Sequence, residues 1–153
     1  MKINSLFLFI RIVLGFIFII SGLEKLLQPY ENFLYIVQSY EILNNRVLEN
    51  MVAGGFPWIE LILGTFLVLG LWTKLAVVGI WLMTTSFIIV VGQAIAKDLP
   101  LSSCGCFGDL IKMPLPVIVL MDATMWVFLI ILYVFPGRAA FLSLDNYFLK
   151  KNS

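Results

Sequence analysis

The sequence predicts an all-α integral membrane protein: a four-helix bundle with an amphipathic interfacial helix between its first two spans. Three observations carry this. Of 153 residues, 61% are hydrophobic and 12% charged, against roughly 45 to 50% apolar in a soluble domain. The apolar residues gather into four stretches of the roughly 20 residues needed to cross about 30 Å of hydrocarbon. The segment between the first two stretches is more polar and carries its apolar residues at helical spacing. A surface so poor in charge excludes a water-soluble globule of this size. The length supports one domain, residues 1–153.

The first span runs from about Leu6 to Leu27. It is too long for a cleaved signal sequence, Arg11 interrupts it, and Ser21-Gly22-Leu23 is a poor cleavage site, so a retained helix is expected. From about Pro29 to Asn50, Phe33, Leu34, Ile36, Val37, Tyr40 and Leu43 form one apolar face, which suits a helix lying at the membrane surface. The second span covers about Met51 to Leu71 and the third about Leu75 to Ala96. Only Trp72, Thr73 and Lys74 separate them, which forces an antiparallel hairpin. The fourth, about Leu115 to Phe135, opens between Pro114 and Pro116, suited to a first helical turn, and closes at Pro136-Gly137. The tail from Arg138 mixes apolar and polar residues and is expected to lie along the surface.

An even number of spans puts both termini on one side. Lys2, Lys74, Arg138, Lys150 and Lys151 share that side, and Lys25, Arg46, Lys97 and Lys112 the other. This slight bias favours cytoplasmic termini in a bacterial inner membrane and places the third loop outside. Net charge is +1 with no block of like charge, so nothing argues for a nucleic-acid partner. Histidine is absent, which removes the commonest general base and metal ligand.

Chemistry therefore falls to carboxylates, lysines and two cysteines. The third loop contains Ser102-Ser103-Cys104-Gly105-Cys106-Phe107-Gly108-Asp109. A disulfide between Cys104 and Cys106 would close a very small, strained ring that is readily reduced. A redox-active dithiol is the leading expectation. The alternatives are an inert disulfide pinning the loop and a metal site. A staple over so short a ring removes little loop entropy, and a metal would find only Asp98 and Asp109 nearby. Asp109 could cap a short helix over 110–113 whose dipole lowers a thiol pKa. One pair on one face cannot carry electrons across the membrane. Electrons must pass to an outer partner protein or leave through a membrane quinone.

Arg11, Glu60 and Asp122 fall inside spans, where an ionisable group is a functional hypothesis by default. By helix rise, Glu60 and Asp122 lie about 10 to 14 Å from the outer ends of their helices, on the cysteine side. They could bond each other, meet Lys25 at the outer edge, or ferry protons to a thiol or quinone. The plainer alternative is that each bonds a neighbouring helix. Arg11 is expected to snorkel toward cytoplasmic phosphates, and Gln93 to neighbour the loop.

Arg11 with Leu14-Gly15 and Phe18, Ser21-Gly22, Lys25-Leu26, Pro29 with Phe33, Tyr40 with Ile42-Leu43, Pro57-Trp58 with Glu60, Gly64 with Leu69-Gly70, and Cys104-Gly105-Cys106-Phe107-Gly108 together form a pattern. It resembles the MauE/DoxX-like family of redox-associated membrane proteins over most of the chain. The sequence departs from that family at Asn44, where a proline is usual, and at Met121-Asp122, where a basic residue often precedes the acid. The resemblance implies disulfide handling outside the cytoplasmic membrane beside a periplasmic thioredoxin-like protein. It also implies a disulfide-containing client such as a methylamine dehydrogenase-type subunit. The expectation is thiol-disulfide exchange through Cys104 and Cys106, with Glu60 and Asp122 in support. A noncatalytic scaffold and a carrier using the buried carboxylates are the alternatives. Likeness to the vitamin K epoxide reductase type of four-helix enzyme extends only to architecture.

Overall fold

The computed structural model describes residues 2–40, 45–97 and 115–135. Its regular elements are five helices: α1 (Lys2–Leu27), α2 (Tyr30–Ser39), α3 (Arg46–Leu69), α4 (Thr73–Ala96) and α5 (Leu115–Val134). Four of them, all but α2, are long and apolar enough to cross a membrane. Together they form an all-α bundle whose outer faces expose large apolar residues such as Phe9, Ile62, Leu82, Ile89 and Leu120, the surface a bilayer solvates. The cysteine loop and the tail from 136 onward lie outside the described residues, as does Leu43 of the expected interfacial face.

Local chemistry fixes the helix ends. Pro29 (φ −54°, ψ 133°) separates α1 from α2. The α2 helix is ten residues long, and α3 begins at Arg46, five residues before the second span expected from hydropathy. The polar stretch before Met51 therefore belongs to α3 and not to the interfacial helix. The reason is Asn45, whose side chain accepts a hydrogen bond from the Val47 amide at 2.9 Å and caps the helix there. At the other end, Gly70 takes left-handed angles (φ 67°, ψ 36°). The Leu71 amide then reaches the Phe66 carbonyl at 3.0 Å and the Gly70 amide the Leu67 carbonyl at 3.3 Å. This Schellman closure permits the tight turn into α4.

The tightest packing is between α1 and α3. A Cβ at Gly15 would lie 2.9 Å from the Gly64 carbonyl oxygen, one at Gly64 equally close to that of Gly15, and one at Gly22 at 2.9 Å from that of Pro57. Gly15 facing Gly64 and Gly22 facing Pro57 define an antiparallel register, with backbones brought together by absent side chains. Pro57 removes an amide donor from the middle of α3. In α4 and α5 the Trp126 indole donates to Thr85 at 3.0 Å and its ring lies 5.7 Å from that of Trp81. Two apolar clusters result. One joins Phe7, Leu14, Phe18, Leu67, Ile80, Met125, Leu129 and Leu132. The other joins Tyr40, Val91, Ala94 and Ile118 at the end where α4 stops and α5 begins.

Arg11 corrects the sequence expectation. It is 1% exposed and does not snorkel. In the α1–α3 register it falls level with the C-terminal turn of α3, where the helix dipole favours a cation.

Candidate functional site

Between the two apolar clusters the bundle holds polar side chains from four helices: Ser21 and Lys25 (α1), Glu60 (α3), Thr84 (α4) and Asp122 (α5), each no more than 7% exposed. Their common level follows from the register, since Gly22 abuts Pro57 and Leu61 and so sets Ser21 beside Glu60. Lys25 stands in the last turn of α1, close to the surface expected for its cation. Side chains on a helix lean toward its N-terminus, however, and here the ammonium turns back into the bundle. It donates to Ser21 Oγ at 2.6 Å and to Glu60 Oε2 at 2.8 Å, while Ser21 Oγ donates to the same carboxylate oxygen at 3.3 Å. The Phe33 ring of α2 roofs the ammonium, 5.7 Å from centroid to nitrogen.

Of the options open from sequence, the structure selects Lys25 as the partner of Glu60, inside the bundle and not at its edge. Glu60 thus also bonds a neighbouring helix. Asp122 is close enough for its charge to interact with those of Lys25 and Glu60, yet its Oδ2 atom has no hydrogen-bond partner among the described residues. That side chain lines a cavity of about 30 Å³ together with Ser21, Glu60, Thr84, Met83, Phe87 and Met125. Roughly 10 to 15 Å³ holds one water, so there is room for one or two.

Tyr40, at the end of α2, packs into the cluster beside the α4–α5 end. Burial, reinforced by the Asp122 carboxylate, pushes its phenol up to about 12. It is a neutral hydroxyl between Asp122 and the side of the bundle from which the cysteine loop springs. Glu24, also buried on α1, accepts from the Gln28 amide. Gln93 is exposed in the last turn of α4; a contact with the loop would lie outside the described residues.

Cys104 and Cys106 likewise lie outside the described residues. The structure brings the two predicted carboxylates together at one level and adds Ser21, Thr84 and Tyr40, which sequence reasoning did not select as site residues. Ser21, Lys25 and Tyr40 had a signal, because each stands in the motif pattern around the first span and α2. Thr84 had none. Among the described residues no cluster of His, Cys, Asp and Glu could hold a metal ion. A family model, that of methylamine utilisation protein MauE, matches residues 3–136. No curated protein and no solved structure matches the chain significantly.

Proposed function

The chain belongs to the methylamine utilisation protein MauE family, and from that premise we propose that this multi-pass membrane protein takes part in thiol-disulfide exchange outside the cytoplasm. Cys104 and Cys106 are the exchanging pair, and a periplasmic thioredoxin-like protein or a disulfide-containing client of the methylamine pathway is the partner. The observation that supports this reading is the position of the polar centre. The cysteine segment joins α4, which ends at Ala96, to α5, which starts at Leu115. Asp122 follows that start by seven residues, about 10 Å along the helix. The centre is thus set into the bundle below the helix ends that this segment joins, with Tyr40 packed toward that side.

Exchange needs protons as well as thiolates, because each thiolate released from a disulfide is stabilised or protonated by its surroundings. Glu60 and Asp122 are the supporting hydrogen-bond and proton groups in this reading. A carrier is disfavoured because a cavity of about 30 Å³ admits water and no metabolite. The larger groove between α4 and α5, about 330 Å³ and lined by Val77, Trp81, Leu129 and Tyr133, lies toward the opposite end from the loop. A quinone there would sit far from the helix ends that the cysteine segment joins, which favours a protein partner as the electron route.

Trapping tests the proposal. With Cys106→Ser or Cys104→Ser, the remaining cysteine is expected to form mixed disulfides with a partner in intact cells. Absence of any mixed disulfide in both variants would contradict exchange. A double serine variant that keeps partial function would instead favour a noncatalytic scaffold.

A further inference from the structure

Asp122 is 7% exposed, lines the cavity of the polar centre and leaves Oδ2 without a partner. An unpaired carboxylate oxygen in hydrocarbon is costly, and a cavity of this size, mostly apolar but with several polar side chains in its wall, holds an ordered water where those side chains converge. Asp122, Glu60, Ser21 and Thr84 supply more than the two polar partners such a water requires. Charge balance points the same way. The groups facing Asp122 are Lys25 from α1, Tyr40 at the end of α2 and Glu60 from α3, while α4 brings Thr84 and carries its lysine, Lys74, at the far end. Lys25 is committed to Glu60 at 2.8 Å. Among the described residues one cation thus faces two acids, and two carboxylates sharing a site do not both ionise readily.

We infer that this cavity is a proton-binding site: it holds a water against Asp122 and one exchangeable proton that the water relays between Asp122 and Glu60. In the relay step the Asp122 O–H bond breaks as a proton passes to the water. A proton from the same water forms an O–H bond on Glu60, leaving Asp122 ionised. Lys25 keeps its charge, no electron moves, and the net charge of the centre is unchanged. The inference deepens the exchange reading, on which the use of the proton rests, by naming the ligand of the centre.

The test uses full-length protein in lipid membranes and infrared difference spectra, in which a protonated carboxyl gives a C=O stretch that a carboxylate lacks and that shifts when its exchangeable proton is replaced by deuterium. One such band is expected to shift on transfer to heavy water and to be lost in a single one-proton transition as pH rises. Asp122→Asn should remove the band, and Asp122→Glu should keep it at a shifted position. Hydroxyl-radical labelling from isotope-labelled water should oxidise Met83 and Met125, which line the cavity although each is 8% exposed. No exchangeable protonated-carboxyl band at any point between about pH 5 and 9, a band that Asp122→Asn leaves unchanged, or no labelling of either methionine, would overturn the inference. The unsubstituted protein gives both the band and the labelling, and Asp122→Glu, which keeps a carboxyl, covers the case in which Asp122→Asn fails to fold. The same pattern is expected in the Cys104→Ser/Cys106→Ser chain: if it holds while trapping fails, the proton site stands and the exchange reading falls.

Discussion

At the scale of single residues the decisive pair is Lys25 and Glu60, each about as deeply buried as any apolar core side chain. Removing one partner of a buried ion pair strands the other charge, whereas replacing both with apolar groups of similar volume is far milder. Lys25→Met is therefore expected to destabilise by about 3 to 5 kcal/mol. Lys25→Met with Glu60→Leu should recover most of that loss, read as the unfolding midpoint in detergent. Tyr40 gives a pH dependence of defined sign. Its folded pKa lies above the ordinary value of 10.0, at about 12. The stability it contributes is then fully present below pH 10 and lost as pH rises toward 12. Tyr40→Phe should flatten that part of the stability profile; an unchanged profile would mean that Tyr40 is not buried as described. Glu60 and Asp122 were legible in the sequence because a carboxylate inside an apolar run stands out. Thr84 was not, because hydroxyl residues in such helices commonly bond back one turn. Thr84 itself donates to the Ile80 carbonyl at 2.9 Å, and Thr65, Thr85, Ser86 and Thr124 do the same without lining the centre. Arg11 was misjudged for a related reason: depth along a helix can be read from hydropathy, but the face it occupies cannot.

At the scale of elements, the α1–α3 seam sets the register that places Ser21 beside Glu60. A methyl at Gly22 would meet the Pro57 carbonyl at 2.9 Å and the Leu61 amide at 3.0 Å, both backbone atoms that cannot step aside. Gly22→Ala and Gly64→Ala are thus expected to part the helices and lower stability by about 1 to 3 kcal/mol, as overpacking does. Nothing lies within 4 Å of a Cβ at Gly55 or Gly92. Alanine there should be neutral or stabilising by up to about 1 kcal/mol through helix propensity. Equal losses at all four positions would mean that the seam has no special closeness. The four spans were legible from run length alone, and the α3–α4 hairpin from the shortness of its turn. The boundary of α3 was not, although the signal was there: Asn45 is a preferred cap residue, and a hydropathy window starts its count only once the apolar run begins at Met51.

At the scale of the whole molecule, the two helix pairs α1–α3 and α4–α5 enclose one polar layer between two apolar clusters. That layer lies seven residues from the start of α5 and twelve from the end of α4, the two helix ends that the cysteine segment joins. Family membership assigns the chain to methylamine utilisation-associated membrane proteins, and the proposed chemistry needs the cysteine pair to be reactive and to face outward. A redox titration of Cys104 and Cys106 in intact cells, read with a thiol reagent that cannot cross the membrane, tests both requirements together. The account predicts a pair that reduces and reoxidises reversibly and is labelled from outside once reduced. A pair that resists reduction, or is labelled only after the membrane is permeabilised, would contradict it.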